Sequence, residues 1–442
     1  MRQILKGRLI FLMESLFKLR ENNTNVMTEV IAGITTFVTM SYIIFVNPDI
    51  LSKSGMDFNA LVVVTCLASA LGTFLMAVLA NYPIALAPGM GLNAFFTFSV
   101  VMGMGVSWKV ALAAVCVEGL IFIVLTLTSI REMVVNTIPK SLKIGISAGI
   151  GLFITFIGLL SAGIIVKNDA TTVALGSFKN NIPALLSMAG LFIMAALTCF
   201  NVKGALLIGI IIITGAAAAL GLVTVPDTFI SLPPSVTSLL FQFDFSAIST
   251  PAFWIVVFTF FFVDFFDTIG TLVGVCNRSG LLDENGNLPR ARGALMADAI
   301  ATVAGAAMGT STVTSFVESS SGVAQGGRTG LTSIVTALLF LAAMFFTPLI
   351  GMVPSYATAP ALILVGVYMM GSLKDMNYDD WTEFIPSLLG FFMMPFAYSI
   401  ATGIEFAVIS YVALKYLTGK FKDVHILMTV LAILFIAKEI FA

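Results

Sequence analysis

The stretch that decides the fold is Gly309 to Thr332, GTSTVTSFVESSSGVAQGGRTGLT, a run of Gly, Ser and Thr around a single acid, Glu318. It lies in a chain of 442 residues of which 59% are hydrophobic and only 10% are charged, a composition typical of an integral membrane protein. Unsatisfied backbone groups cost several kcal/mol in hydrocarbon, so a polar segment at that depth must lie inside the protein or beside a water-filled cavity. Glu318 is therefore a candidate site residue.

Apolar runs on both sides of this stretch predict an all-α polytopic membrane protein with 14 transmembrane segments. Each run is long enough to cross a hydrocarbon core of about 30 Å, if two broken runs are included. The predicted spans lie near residues 27–47, 59–80, 83–101, 107–128, 142–165, 181–200, 204–222, 251–275, 293–309, 310–326, 329–350, 357–371, 382–400 and 403–418. Seven spans in each half place the second half upside down relative to the first, which is the inverted-repeat plan of secondary transporters.

The positions of the Lys and Arg residues support this topology. With the N-terminus in the cytoplasm, 17 of those up to Lys422 fall in inside segments and 4 in outside segments, as the positive-inside rule requires. Residues 1–26 mix basic and apolar side chains at roughly helical spacing and predict an amphipathic helix on the cytoplasmic surface. A further apolar helix is predicted over 424–442. We expect a multi-pass protein of the plasma membrane, which is the inner membrane in bacteria.

Charge and cysteine content exclude other classes of function. The net charge is −1 and there is no long basic run, which argues against a nucleic-acid partner. The four cysteines show no CxxC spacing, so no metal site is predicted and we expect no cofactor.

The third span of each half is its abnormal member. Pro and Gly interrupt Pro83 to Val101 (PIALAPGMGLNAFFTFSVV) in the first half, and the Gly/Ser/Thr stretch is the matching span of the second. Such paired interruptions are the best sequence pointer to the binding site of a transporter. In the tenth span, Thr312 to Thr314 favour extended chain, and Ser315 and Glu318 fit an S-x-x-E capping box. A short strand should therefore lead into a half-helix whose positive N-terminal end faces a ligand. Alternatively, Glu318 only caps its own helix.

The eighth span carries the second polar signal, within Phe258 to Val275 (FTFFFVDFFDTIGTLVGV). Asp264, Asp267 and Thr268 share one helical face. An Asp near the bilayer centre costs about 2.5–3.5 kcal/mol, so two on one face imply partners or a polar cavity. The alternative is a hydrogen-bonded brace between helices, which is nearly as well supported for Asp267.

Five motifs along nearly the whole chain resemble one family. They are TEVIAGITTFVTMSYIIFVNP (Thr28 to Pro48), APGMGLNAFF (Ala87 to Phe96), FFFVDFFDTIGT (Phe260 to Thr271), TSFVESSSGVAQGGRTGLTS (Thr314 to Ser333) and MMPFAYSIATGIEFAVISYV (Met393 to Val412). Together they resemble the AzgA-like purine permeases of the nucleobase cation symporter-2, or nucleobase-ascorbate transporter, family.

The resemblance implies a core domain and a gate domain with the substrate between them. The core domain would comprise residues 27–140 and 251–350, and the gate domain residues 141–222 and 357–418. Spans 3 and 10 would each be a short β-strand plus a half-helix. Relatives also suggest a homodimer.

The resemblance also implies a set of site residues. It places the binding acids at Asp264 and Glu318, with Asp267 in support, and adds Gly91, Asn93 and Phe316. With the neighbouring hydroxyl residues included, the predicted set is substrate binding by Glu318, Asp264, Asn93, Phe316, Gly91 and Ser319, and proton coupling or its support by Asp264, Asp267 and Thr268. The chemistry agrees, because a carboxylate can accept hydrogen bonds from the ring N–H and amino groups of a planar base. Asp264 is the favoured proton carrier, since burial disfavours the charged form of a carboxyl.

These observations predict a secondary active transporter, not an enzyme, that imports purine nucleobases by proton symport as the core moves against the gate in an elevator-type cycle. Guanine and hypoxanthine are favoured because their N1–H can donate to an ionised Glu318. An adenine-selective permease is the alternative. An anion transporter of the same architecture would call for a cationic or neutral site. An intramembrane aspartyl protease would need its two aspartates on separate helices, whereas Asp264 and Asp267 share one.

Overall fold

The structure is a computed structural model that describes residues 14, 16–128, 139–279, 281 and 288–441. Most of the amphipathic helix predicted over 1–26 lies outside the described residues, as do the predicted connections at 129–138 and 282–287.

The first half of the chain is a series of helices interrupted by one strand at its third span and by one hairpin. Its elements are α1 (Val26–Met40), α2 (Ile43–Ser52), α3 (Phe58–Leu79), β1 (Leu86–Pro88), α4 (Met90–Ala94), α5 (Trp108–Thr128), α6 (Lys140–Ser161), β2 (Ile165–Asn168), β3 (Thr172–Leu175), α7 (Ile182–Cys199) and α8 (Ala205–Ala219). Helix α4 continues as a wider π-helical segment, Phe95–Gly103. The antiparallel β2–β3 hairpin was not predicted from the sequence.

The second half repeats this order, with a strand again at its third span. Its elements are α9 (Pro251–Ser279), α10 (Ala291–Met308), β4 (Val313–Ser315), α11 (Ser319–Ala324), α12 (Gly330–Ala343), α13 (Thr347–Gly351), α14 (Ser355–Met370), α15 (Trp381–Phe396), α16 (Ile400–Leu417) and α17 (Ile426–Phe441). Short 3₁₀ turns join α12 to α13 and follow α14 and α16.

Nine helical regions among the described residues are long and apolar enough to cross a membrane, and further apolar helices are shorter. The prediction of a helical polytopic protein with a strand and a half-helix in its third and tenth spans is confirmed. The total of 14 spans stays a prediction. The apolar helix predicted over 424–442 corresponds to α17.

The helices pack in two sets. The strand group comprises α1–α5 and α9–α13 with β1 and β4; within it α3 packs on α10 and α12, α5 on α9 and α10, and α1 on α11 and α12. The flank group comprises α6–α8 and α14–α16; within it α6 packs on α14 and α15, and α7 on α8 and α14. Small residues permit this approach, since a Cβ added to Gly151 would lie 2.5 Å from the carbonyl oxygen of Gly366. The division into core and gate domains stays a prediction.

A matching pair of threonines ties each short strand to the helix before it. The Thr73 hydroxyl of α3 lies 2.9 Å from the Leu86 nitrogen and 3.0 Å from the Leu86 carbonyl oxygen of β1. The Thr302 hydroxyl of α10 lies 3.3 Å from the Val313 nitrogen and 3.0 Å from the Val313 carbonyl oxygen of β4. Each hydroxyl thus accepts from one backbone group and donates to another on the same residue. The same device at matching places in the two halves is the local signature of the internal repeat.

Candidate functional site

The site is built on a crossing of the two strands. β1 and β4 pair antiparallel, with Leu86 opposite Ser315 and Pro88 opposite Val313. Backbone bonds extend the pairing at both ends, from the Gly89 N–H to the Thr312 carbonyl and from the Phe316 N–H to the Ala85 carbonyl, each 3.0 Å. These bonds satisfy backbone groups that the short helices cannot. The crossing therefore fixes the starts of α4 and α11 next to each other.

Glu318 lies immediately before α11 and is held by the first span. The Tyr42 hydroxyl donates to Glu318 Oε1 at 2.7 Å, and the Thr39 hydroxyl donates to the Glu318 carbonyl at 3.5 Å. Within the described residues, the Glu318 side chain makes no capping bond to α11, and Ser315 Oγ donates to the Thr268 carbonyl at 3.3 Å. The predicted S-x-x-E capping box therefore does not form, because Ser315 is engaged by α9. The alternative that Glu318 caps its own helix fails with it.

A cavity of about 490 Å³ opens beside Glu318, between the strand group and the flank group. This volume is in the usual range for small-molecule sites. The strand group contributes Thr39, Glu318 and Ser321, and the flank group contributes Thr198, Lys203 and Tyr368.

Two contacts shape the flank side of this cavity. The Thr198 and Tyr368 hydroxyls lie 2.8 Å apart, and Lys203 Nζ lies 3.5 Å from the Ser321 carbonyl oxygen. The cavity wall therefore combines apolar surface with hydroxyl groups, one side-chain amide, one acid and one cation.

Asp267 of α9 is an acid linked to this site through its charge. Its side chain is half-buried, and its charge interacts with that of Glu318 and with Tyr42.

Asp264 has a different setting, deep in the strand group. It is fully buried, and so are Thr268, Asp298 and Thr314. The Thr268 hydroxyl lies 3.4 Å from Asp264 Oδ1, 2.9 Å from Asp298 Oδ1 and 2.7 Å from the Thr314 hydroxyl. One hydroxyl has one proton to donate, so the two carboxyls share the Thr268 proton, while the Thr314 hydroxyl can itself donate to Thr268. This network joins α9, α10 and β4.

The remaining predicted residues are packed around the crossing. Asn93 is fully buried, accepts from the Ser311 hydroxyl and donates to the Pro88 carbonyl at 3.4 Å. Ser319 Oγ accepts from the Ala85 N–H at 3.0 Å, and Phe316 is 6% exposed.

Gly91 lies at the contact between the two helix groups. A Cβ added there would lie 2.6 Å from Ile150 Cγ2 of α6. Of the predicted set, Glu318 lines the cavity, whereas Asp267 is not among the described residues of the cavity wall.

Two further residues were not singled out from the sequence. Tyr42 stands in an apolar run, where nothing signals a hydrogen bond to a distant acid. Glu29 in α1 is fully buried and accepts from the N–H groups of Arg328, Thr329 and Thr332 and from the Thr332 hydroxyl, at 2.6–3.3 Å. The sequence did carry a signal for Glu29: it is an acid in the first turn of an apolar span, and the start of α12 is rich in Gly and Thr donors that such an acid can accept from.

The fold is shared with solved transporters. The transmembrane domain of a cyanobacterium bicarbonate transporter, BicA, superposes with a TM-score of 0.64 at 15% identity, covering 86% of this chain and 97% of that chain. Murine Slc26a9, an anion transporter in the inward-facing state, gives a TM-score of 0.65 at 12% identity, covering 90% and 68%. At these identities the likeness concerns the fold alone, and it identifies the class of fold: a membrane protein with this inverted-repeat architecture.

Family comparison is more specific. Residues 27–406 match the Xan_ur_permease model, described as a permease family. The chain belongs to this family, as its motifs predicted, and is a transporter and not an enzyme. Adenine permease AdeP of Escherichia coli K12 is 46% identical over 430 residues, covering 97% of this chain and 96% of AdeP. Guanine/hypoxanthine permease PbuG of Bacillus subtilis 168 is 46% identical over 440 residues, covering 97% and 100%.

Proposed function

We propose that this protein imports purine nucleobases by proton symport, with the base bound at Glu318 between the two helix groups. The observation that carries the proposal is the Glu318 carboxyl, held by Tyr42 at 2.7 Å on the wall of a cavity of about 490 Å³. A carboxylate in such a place demands a ligand with N–H donors. Relatives named as adenine and guanine/hypoxanthine permeases make a purine the matching ligand.

The favoured substrates are guanine and hypoxanthine. The tyrosine hydroxyl donates to Glu318, which suits an ionised carboxylate that can only accept. The N1–H of a 6-oxopurine offers the donor that such a carboxylate needs. An adenine-selective permease is the alternative, since adenine carries an acceptor at N1.

We propose that the coupling proton is taken up by Asp267. Its charge interacts with that of Glu318, so a proton on Asp267 relieves the repulsion between the two carboxylates and leaves Glu318 free to accept from the base. Asp264, the acid that the sequence favoured, is engaged with Thr268 in the network that joins α9 to α10. We therefore propose Asp267 as the proton carrier and Asp264 as a residue that positions α9.

The location of the cavity supports transport by an elevator-type movement. Glu318 and the strand crossing belong to the strand group, and Lys203 and Tyr368 opposite them belong to the flank group. We propose that the strand group is the core and the flank group the gate. With the cytoplasmic N-terminus expected from the charge distribution, the Lys203 side of the cavity faces the cytoplasm. Sliding of the core would then carry the site toward the other face.

Uptake by purified protein in liposomes tests the proposal. Labelled hypoxanthine is supplied at two external pH values, with guanine, adenine, xanthine and uracil as competitors. Wild type should accumulate hypoxanthine when the outside is acidic. Glu318→Gln should weaken binding at least about tenfold through loss of a charge-assisted bond, and Asp267→Asn should keep exchange but lose the response to the pH gradient.

A matched control is Glu21→Gln, which removes an acid whose side chain is 67% exposed and should leave uptake unchanged. Competition by uracil alone, uptake of bicarbonate in place of purine, or unaltered gradient-driven uptake in both site variants would refute the proposal.

A further inference from the structure

Tyr42 occupies a break in the first span. Helix α1 ends at Met40 and α2 begins at Ile43, so that Ser41 and Tyr42 form the junction. Tyr42 is 1% exposed, and its hydroxyl donates to Glu318 Oε1 at 2.7 Å. The half-helix carrying Glu318 is pressed against α1, since a Cβ added to Gly322 would lie 2.6 Å from the Ala32 carbonyl oxygen. The phenol is therefore fixed in relation to the carboxyl.

A hydrogen bond donated to a carboxyl favours its ionised form. In that form Glu318 can accept hydrogen bonds but has none to give. Hypoxanthine and guanine carry a hydrogen on N1, which a carboxylate can accept. Adenine carries a lone pair on N1 beside its 6-amino group, so it pairs best with a carboxylic acid, which donates to N1 and accepts from the amino group.

We infer that Tyr42 is a specificity-determining residue, whose hydroxyl holds Glu318 as an acceptor and so favours 6-oxopurines over adenine. The inference rests on the proposed purine transport and adds to it the residue that sets the choice of base. Tyr42 acts through Glu318 and is a positioning residue in this sense.

Other polar groups face Glu318 from the elements around it. The charge of Asp267 of α9 interacts with that of Glu318, Lys203 of the α7–α8 connection lines the same cavity, and Tyr368 of α14 interacts with the charge of Glu318. The Tyr368 hydroxyl lies 2.8 Å from the Thr198 hydroxyl. Both residues belong to the proposed binding cavity, so the matched control is Tyr411 of α16, a buried phenol outside the cavity lining whose hydroxyl donates to the Asp423 carbonyl at 3.4 Å.

The experiment measures how strongly unlabelled adenine and unlabelled hypoxanthine inhibit the uptake of labelled guanine into liposomes. It is repeated at external pH values from about 5.5 to 8.5, on both sides of neutral pH. For Tyr42→Phe, the ratio of adenine affinity to hypoxanthine affinity should rise about tenfold, the effect of losing one hydrogen bond to a charged group. This rise in the adenine-to-hypoxanthine ratio should become smaller as the pH increases, because at high pH Glu318 is ionised even without the hydrogen bond from Tyr42. Tyr411→Phe, which removes a phenol hydroxyl bonded to the Asp423 carbonyl, should leave the ratio unchanged.

A second variant keeps the test decisive if Tyr42→Phe folds poorly. Replacing Tyr42 with 3-fluorotyrosine keeps the ring and makes the phenol a stronger donor, so the ratio should fall. An unchanged ratio in both Tyr42 variants, or a pH-independent change, overturns the inference while leaving purine transport intact. Failure of wild-type protein to bind any purine overturns the proposed function instead.

Discussion

Substitution of Gly91 tests the idea that the half-helix of the third span slides along the flank group. Gly91 belongs to α4, and the added methyl of Gly91→Ala would lie 2.6 Å from Ile150 Cγ2 of α6. Carbon atoms in favourable contact lie about 3.5–4.0 Å apart, so α4 or Ile150 must move by roughly 1 Å. Ile150 cannot easily rotate away, because it is 4% exposed and β-branched.

The expected cost follows from that overlap. Overpacking of a buried site costs about 1–3 kcal/mol. A cost of this size lowers the population of the conformation described here by about 5–150-fold relative to alternatives without the overlap. Gly91→Ala should therefore lower the thermal stability and change the maximal uptake rate more than the affinity for substrate. Ile150→Ala removes the obstructing atom at a cavity cost of its own, about 2–5 kcal/mol.

The assay is a double-mutant cycle with melting temperature and hypoxanthine uptake as readouts. The Gly91→Ala/Ile150→Ala protein should be more stable than the sum of the two single changes predicts, because the new methyl fills the space left by Ile150. Gly215→Ala on α8 is the control, since its added Cβ meets no described atom within 4 Å. Additive effects, or a Gly91→Ala protein as stable and active as wild type, would show that the half-helix does not press on α6.

Three other changes probe the crossing and the cytoplasmic charges. Thr302→Val should lower the melting temperature by leaving both polar groups of buried Val313 unpaired, at about 1–3 kcal/mol each, whereas Thr302→Ser should restore it. Thr268→Val should destabilise the protein in detergent by a similar amount and reduce uptake, because two buried carboxyls lose a shared partner. Hydrogen bonds from Thr382 hold the pKa of Asp380 well below its usual range. A carboxyl whose pKa is lower in the folded than in the unfolded protein, where it is about 3.9, stabilises the fold above that pH. Asp380→Asn should therefore lower the stability at pH 7, and the difference from wild type should become smaller below about pH 4. A difference that does not depend on pH would contradict this.

Much of the architecture can be predicted from local features of the sequence. The Pro/Gly interruption of Pro83 to Val101 and the Gly/Ser/Thr run after Gly309 predict the two broken spans, because neither segment can satisfy its backbone as a continuous helix. Glu318 is equally visible as a lone acid in that run. The structure places it on a cavity wall.

The contacts of the site were harder to predict, because they join residues distant in sequence. The capping box at Ser315 fails since the Ser315 hydroxyl donates to the Thr268 carbonyl of another helix. Helical periodicity puts Asp264 and Asp267 on one face, yet their surroundings differ: Asp264 is fully buried, and Asp267 interacts with Glu318. Periodicity shows which face a residue occupies, but only the packing of neighbouring helices decides its partners. Tyr42 was missed for the same reason.

The antiparallel crossing has a consequence for the order in which the chain acquires its structure. Leu86 is synthesised early, but its partner Ser315 emerges only after most of the chain has been made. Until then the polar edge of the early strand has no second strand, and closing so long a loop delays its pairing. Insertion of the first spans must therefore precede completion of this pair, and a ribosome stalled before Val313 should carry an inserted chain that is still unable to hold ligand.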